Sequence, residues 1–334
     1  MIKYFCLLER CPSGLRCGSR KSVRGNPPRV RIPPSPDFSG KLKLSKMFVR
    51  ILLTILLLFL TNRSFAEPKI CFNESLLVYN NGILIPNFGQ PPHTKERAKA
   101  AGYILYYKNN KLQEYIPPDG HLEYPTAMAV HRKNLFICNR KNLLIYDITN
   151  LKKQPQKITF RNNNALNDLA ISDGNLYITS TDKNRIYKIN LNSKNFTPQK
   201  WIDIPSPNGI IFHKNTAYIA SIPADYKNVK EENVVYIIKD KNNPKAEKFN
   251  STPGLYDGLA ISKDGKTLYV SDWKTSSIKA IDTSTKKEKT VYFEKNLSPA
   301  DIALEKKQLL IPDMMKHRII ILDLTNLNTK LITN

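Results

Sequence analysis

The chain is poor in cysteine, histidine and acidic residues, and it has no long apolar stretch. Five of its 334 residues are Cys and five are His. No two cysteines stand in a CxxC spacing, which excludes a zinc ribbon or a thioredoxin-like redox motif. No GxSxG occurs, so a serine nucleophile elbow is excluded as well. Apart from Thr94–Ala101, no ten-residue amphipathic helical pattern is evident, which argues against a helical domain. Acidic residues number 28 against 52 Lys and Arg, for a net charge of +24. That charge is unevenly divided. Residues 1–66 hold 13 basic side chains against Glu9 and Asp37, hence +11; the remainder holds 39 against 26, hence +13. The lysines are scattered one or two per turn, with no basic helix and no aromatic-interleaved basic motif. This reads as a solvated basic surface, and no nucleic-acid partner is expected.

What is present begins with a leader. Met47-Phe-Val-Arg50 is a short basic start, Ile51 to Leu60 is almost wholly apolar, and Ser64-Phe65-Ala66 offers small residues for cleavage. Residues 47–66 therefore read as a signal peptide, with the mature protein periplasmic or secreted. The apolar run falls short of the roughly 20 residues that a membrane span needs, so no span is expected once the signal is removed. Residues 1–46 are rich in Pro, Arg and Ser with no apolar period. Val30-Arg31-Ile32 fits the codons of a transfer-RNA T-loop. The expectation is a spurious upstream extension of the reading frame, not folded, with Met47 as the start.

From residue 67 to 334 the chain repeats itself six times. The first strand of each unit reads Glu74-Ser-Leu-Leu-Val, Thr126-Ala-Met-Ala-Val, Asn167-Asp-Leu-Ala-Ile, Asn208-Gly-Ile-Ile-Phe, Asp257-Gly-Leu-Ala-Ile and Ala300-Asp-Ile-Ala-Leu. Second strands follow, from Ile83-Leu-Ile-Pro-Asn87 and Leu135-Phe-Ile-Cys-Asn139 to Leu268-Tyr-Val-Ser-Asp272 and Leu309-Leu-Ile-Pro-Asp313. Third strands such as Arg185-Ile-Tyr-Lys-Ile are clear; fourth strands such as Thr290-Val-Tyr-Phe are weaker. Breakers (Asn80-Asn-Gly82, Asp173-Gly174, Asp264-Gly265) separate first from second strands. Four short strands in a repeat of about 40–50 residues predict an all-β, six-bladed β-propeller of four-stranded blades. Two connections are long, Asn87 to Gly102 and Ser221 to Asn233, and long loops on a rigid scaffold often carry specificity.

The leading residue of each unit enters the innermost strand, so the six should ring the channel at one end. They are Glu74, Thr126, Asn167, Asn208, Asp257 and Ala300. Two carboxylates and two amides converging on one axis suit a hard divalent cation. Asn208 and Asp257 also suit tight turns before glycine, but Glu74 does not. The set contains no Cys or His, which argues against structural zinc.

The repeats, and this ring above all, resemble the gluconolactonase/regucalcin family, with paraoxonases and strictosidine synthases as more distant relatives. The resemblance implies a divalent-cation-dependent hydrolase of a lactone or ester. Glu74, Asn208 and Asp257 would be the metal ligands, calcium the usual ion, and Asp257 the catalytic base. Asn167 and, by its slot, Thr126 would face the substrate. Two departures stand out: the family's Arg two positions before Asn167 is Ala165 here, and no Gly-Pro follows Glu74. A generic NHL-type propeller, binding a protein or glycan without catalysis, therefore stays open beside the lactonase.

Tyr124, Tyr256 and Trp273 fall near the same mouth, Tyr124 more as packing than as pocket wall. His131 and His213 follow first strands and should lie at the opposite end; only His93, in the first long loop, could approach the mouth. Cys71 and Cys138 fall in neighbouring blades near that end. An exported protein permits a bridge between them, but the narrow geometric window favours two separate buried thiols.

Overall fold

The computed structural model describes residues 68–91, 101–160, 165–223 and 225–334. Residues 1–66, His93 and all of Thr94–Ala101 but its last residue lie outside them.

The described chain forms six four-stranded antiparallel sheets, each built from four consecutive strands. It is the expected all-β, six-bladed propeller, and its only helical pieces among the described residues are the 3-10 turns Thr181–Lys183 and Met314–Lys316. The first strands are Leu77–Tyr79, Pro125–His131, Leu166–Ser172, Pro207–His213, Tyr256–Ile261 and Ala303–Glu305. The second strands are Gly82–Asn87, Asn134–Asn139, Asn175–Ser180, Thr216–Ser221, Thr267–Asp272 and Gln308–Asp313.

Burial follows position in the blade. Gly82–Asn87 is buried throughout, because a neighbouring blade covers each face. Gln156–Thr159, the fourth strand of blade 2, is almost wholly exposed at the perimeter. The core is accordingly divided into wedges, one per blade interface. Leu84, Ile104, Leu135 and Tyr146 fill the wedge between blades 1 and 2, and Phe136, Leu143, Leu176 and Ile178 the next. The four remaining interfaces have their own clusters. Each fully buried Leu, Ile or Phe contributes about 1.5–3 kcal/mol.

Among the described residues no strand is exchanged where the ring closes between blades 6 and 1. Ile70, Leu76, Ile85, Leu310, Ile319 and Ile332 pack across that seam. Asn334 fastens it at the C-terminal end: its side chain accepts from Ile70 N (2.5 Å) and donates to Ile70 O (3.0 Å).

All turns between first and second and between third and fourth strands gather at one end of the ring. In blade after blade they bond to each other: Ile148 N donates to Lys133 O, Leu191 N to Gly174 O, Thr283 N to Lys266 O and Leu324 N to Lys307 O, at 2.8–2.9 Å. Asn80 and Asn81 (φ 47° and 59°) take the left-handed conformations of a tight hairpin turn, which asparagine tolerates. The remaining connections, and the entries to the first strands, lie at the opposite end, called the mouth below.

Candidate active site at the channel mouth

The six leading residues occupy one equivalent position. The residue before each pairs with the last residue of the second strand: Asn73 with Asn87, Pro125 with Asn139, Leu166 with Ser180, Pro207 with Ser221, Tyr256 with Asp272 and Pro299 with Asp313. In blades 2 to 5 the pairing then slips by one residue, so a β-bulge spans Thr126, Asn167, Asn208 and Asp257. A bulge leaves residues out of the ladder and re-aims their side chains.

Repeated side chains hold this entry in place. Asn139 Oδ1 accepts from Glu123 N and Tyr124 N (2.8 and 2.9 Å), Asn87 Oδ1 from Cys71 N (2.8 Å), and Asp272 and Asp313 take the N–H groups of Leu255 and Ser298. Hydroxyls repair the bulges: Thr179 Oγ1 accepts from Asp168 N (2.9 Å) and Ser271 Oγ from Gly258 N (2.7 Å). The backbone carbonyls of the ring are then consumed in stitches between blades. Thr126 Oγ1 donates to Asn167 O (2.6 Å), Thr179 Oγ1 to Asn208 O (2.7 Å) and Asp301 N to Glu74 O (2.9 Å). Thr126 thus spends its hydroxyl proton on the neighbouring blade. Glycine is needed where innermost strands approach: a Cβ on Gly209 would sit 2.4 Å from Asp257 O, and one on Gly258 2.3 Å from Asp301 Cα.

Stitching leaves the side chains of Glu74, Asn208 and Asp257 to the channel. All three are more than nine-tenths buried. Asn208 Oδ1 and Asp257 Oδ1 have no hydrogen-bond partner. Two buried, unanswered oxygens from adjacent blades are costly unless something else meets them.

Two further carboxylates join them, Asp168 and Asp301, each one position after its leading residue. Asp168 accepts from Leu169 N and, across the blade boundary, from Ile210 N, both at 2.6 Å. Burial pushes Asp168 up to about 7, against those two donors. Asp257 is also pushed up to about 7, by burial first and then by the Asp168 charge. The Trp273 indole nitrogen leans toward Asp257 and offsets part of that rise, but it falls short of a hydrogen bond. Glu74 is raised well above the usual carboxylate range by burial and then by Asp257, Asp301 and Asp168; the Asn167 amide beside it pulls back a little. Asp301 is raised for the same reasons. Four carboxyl groups therefore share one poorly solvated field. Repeat reading passed over Asp168 and Asp301 because they sit where the other units have Ser75, Ala127, Gly209 and Gly258. An acid in a slot otherwise kept for small residues was the available signal.

An aromatic collar surrounds the entry. Phe72, Phe88 and Tyr124 pack with Ala300 and Met314, and Trp273 rests against them. Tyr124 meets Phe88 edge-on at 5.0 Å, the packing role expected of it. Tyr226, from the second long loop, stacks on Trp273 (6.3 Å, 12°). Desolvation, then Asp257 and Glu74, push its phenol up to about 12, so it lies within reach of the channel's field. Tyr256 is different from expectation. It is fully buried, and its hydroxyl donates to Thr252 O at 2.8 Å beside Asn250 and Lys279, so it braces blades 4 and 5 instead of lining the mouth. His131 and His213 end first strands at the far end, as expected. Cys138 is a free, buried thiol, and the two propeller cysteines are not joined to each other. Cys71 is nevertheless disulfide-bonded, which corrects the expectation of two separate thiols.

Among the described residues no three His, Cys, Asp or Glu side chains stand close enough to hold one metal ion. Open cavities of about 460 and 300 Å³ lie elsewhere, between blades 1 and 6 and beside His121, and neither is lined by Glu74, Asp168, Asp257 or Asp301.

The sequence matches no family model and no curated protein. Its fold has many solved likenesses. A chain in the crystal structure of a nidogen/laminin complex aligns over 78% of this chain and 94% of its own, with a TM-score of 0.58 at 12% identity. Virginiamycin B lyase from Staphylococcus aureus aligns over 63% of this chain and 69% of its own (TM-score 0.47, 15% identity). The designed protein Ika8 aligns over 78% and 74% (TM-score 0.48, 11% identity). The first of these likenesses speaks to the fold alone.

Proposed function

We propose that the chain is a divalent-cation-dependent hydrolase of a lactone or ester, with Glu74, Asn208 and Asp257 as the cation's ligands. The observation that carries this is the pair of buried, unpartnered oxygens, Asn208 Oδ1 and Asp257 Oδ1, beside the Glu74 carboxylate. An all-oxygen donor set with two acids fits calcium or a similar hard ion. A cation bound there supplies charge that polarises a substrate carbonyl and stabilises its developing oxyanion. Asp257 would take a proton from water; burial holds its carboxyl at about 7 with no cation bound, and a cation's charge would lower it. That water adds to the carbonyl carbon, the ring or ester C–O bond breaks, and the departing oxygen receives the proton. Asn167, beside Glu74, and Thr126 line the approach, and Trp273 with Tyr226 shields it from solvent. Export to the periplasm or medium is part of the same proposal and rests on residues 47–66.

A second reading is a non-catalytic propeller that binds a protein or glycan. Its support is the lack of a three-acid cluster among the described residues, together with the likeness to a chain crystallised in a nidogen/laminin complex.

Metal content and calcium-dependent melting of the full chain, beside Asp257→Ala, separate the two. The hydrolase reading expects one divalent ion per chain, lost in the variant, and a calcium-raised Tm in wild type alone. Screening of lactones and aryl esters then follows. If neither protein holds metal and both melt alike with and without calcium, the scaffold reading stands.

A further inference from the structure

The end of the propeller opposite the mouth is a basic face. Turns between first and second and between third and fourth strands hold fifteen Lys or Arg against three Asp, a balance of +12. The described connections at the mouth end hold eight of each, a balance of zero. Of the fifteen, only Lys241 is buried; it is tied to Ser172 Oγ (2.8 Å) and Asp173 (2.5 Å) and serves the blade 3–4 boundary. The rest are exposed, though the Lys286 ammonium lies over the Phe249 ring, 3.7 Å from its centre. Lys133 and Lys239 are each paired with one strand acid, Asp147 and Glu247. The lysines that look scattered along the chain are thus gathered by the fold, because each blade delivers two turns to the same end.

We propose that this face docks on an anionic phospholipid bilayer and leaves the acidic mouth turned away from it. Positive charge spread over five of the six blades (the blade 1 turns hold only Asn) forms a two-dimensional array, which matches a planar charged surface. A single-stranded nucleic acid would call for a basic groove with stacking aromatics. The exposed aromatics Tyr226 and Phe293 lie toward the mouth end, not among these turns. The far-end turn of blade 6 instead presents Leu327, 55% exposed and held in the left-handed region (φ 62°), where a leucine seldom sits. An apolar tip among lysines suits the boundary between headgroups and acyl chains. The face is distinct from the mouth, so this proposal does not depend on the hydrolase reading.

The test is sedimentation of the full chain with vesicles of equal parts phosphatidylglycerol and phosphatidylcholine, against pure phosphatidylcholine, at low and high salt. Wild type is expected to bind the anionic vesicles only, and less at high salt as screening shortens the field. Reversing six far-end charges (K152E, K153E, K214E, K263E, K306E, K307E) is expected to weaken binding at least about tenfold, since each basic group near an anionic surface contributes. Reversing six mouth-end charges (R140E, K141E, K183E, K227E, K274E, K295E) changes net charge equally and is expected to leave binding nearly intact. Melting curves confirm that both variants fold. Leu327→Asp is expected to lower vesicle binding severalfold at fixed salt. Equal losses in the two sixfold variants, no preference for anionic vesicles, wild-type vesicle binding by Leu327→Asp, or tighter retention on duplex DNA than on vesicles at the same salt would each overturn the proposal.

Discussion

At the mouth, charge is balanced in sign and partly buried: Glu74, Asp168, Asp257 and Asp301 share one field, in which Asp168 raises the other three. At the far end it is abundant and solvated: most lysines there touch no acid and extend into water. Both sets arise from the same repeat, one from the entry to the first strands and the other from the turns between strands at the opposite end. The difference teaches that depth, more than count, decides what one residue can do. Removing one mouth carboxylate changes a coupled field and, at Asp168, leaves two backbone donors stranded. Removing one far-end lysine subtracts a small, screened increment.

The sharpest way to break this contrast is Asp168→Ala. It strands Leu169 N and Ile210 N, both buried and both bonded to this carboxylate alone among the described groups. The expected cost is about 2–4 kcal/mol, because two buried donors lose their acceptor. Urea denaturation checks it, and a loss below that of a surface substitution would mean the stitch between blades 3 and 4 is dispensable.

A pH series in EDTA sharpens the comparison next. Asp168 and Asp257 sit near 7 in the folded chain and near about 4 when unfolded. Protonation therefore favours the fold, and their contribution declines as pH rises through about 7. Between pH 5 and 8 the Tm is expected to fall by at least about 3 °C, the shift for roughly 1 kcal/mol in a chain of this length. Asp257→Asn should flatten that fall. A wild-type Tm that holds or rises over the same interval would show that the mouth carboxyls are solvated and separate.

The smallest effect belongs to the far end. Lys152→Ala, in an exposed turn, should move stability by less than about 0.5 kcal/mol with no change in pH dependence, as exposed substitutions away from special features do. A larger effect, read in the same urea series, would erase the distinction between the two ends.

Much of this architecture could be read before any coordinates. The second strands were plain because a blade covers each of their faces, which makes them continuous apolar runs such as Ile83–Ile85 and Leu309–Ile311. Fourth strands were faint because they lie at the perimeter, and Gln156–Thr159 and Ala246–Lys248 have little apolar pattern to show. The leading residues were visible as a column in the repeat. Asp168 and Asp301 were not, since their column reads as small strand residues elsewhere. Tyr256 was misplaced because its neighbour Asp257 faces the channel; successive strand residues face opposite ways, and Tyr256 turns into the wedge between blades 4 and 5.

Blade number, strand order and the identity of the six leading residues follow from local rules: a period of two, turn breakers and a repeat length, each confined to a few neighbouring residues. Burial and mutual field do not. Glu74, Asp168, Asp257 and Asp301 are far apart along the chain, and only closing the ring sets them near enough for one carboxylate to raise another. The far-end lysines are likewise dispersed in sequence and become a face only when the ring aligns the turns of blades 2 to 6. Electrostatic energy depends on separation and dielectric in three dimensions, so the chemistry of both ends was left for the tertiary structure to decide.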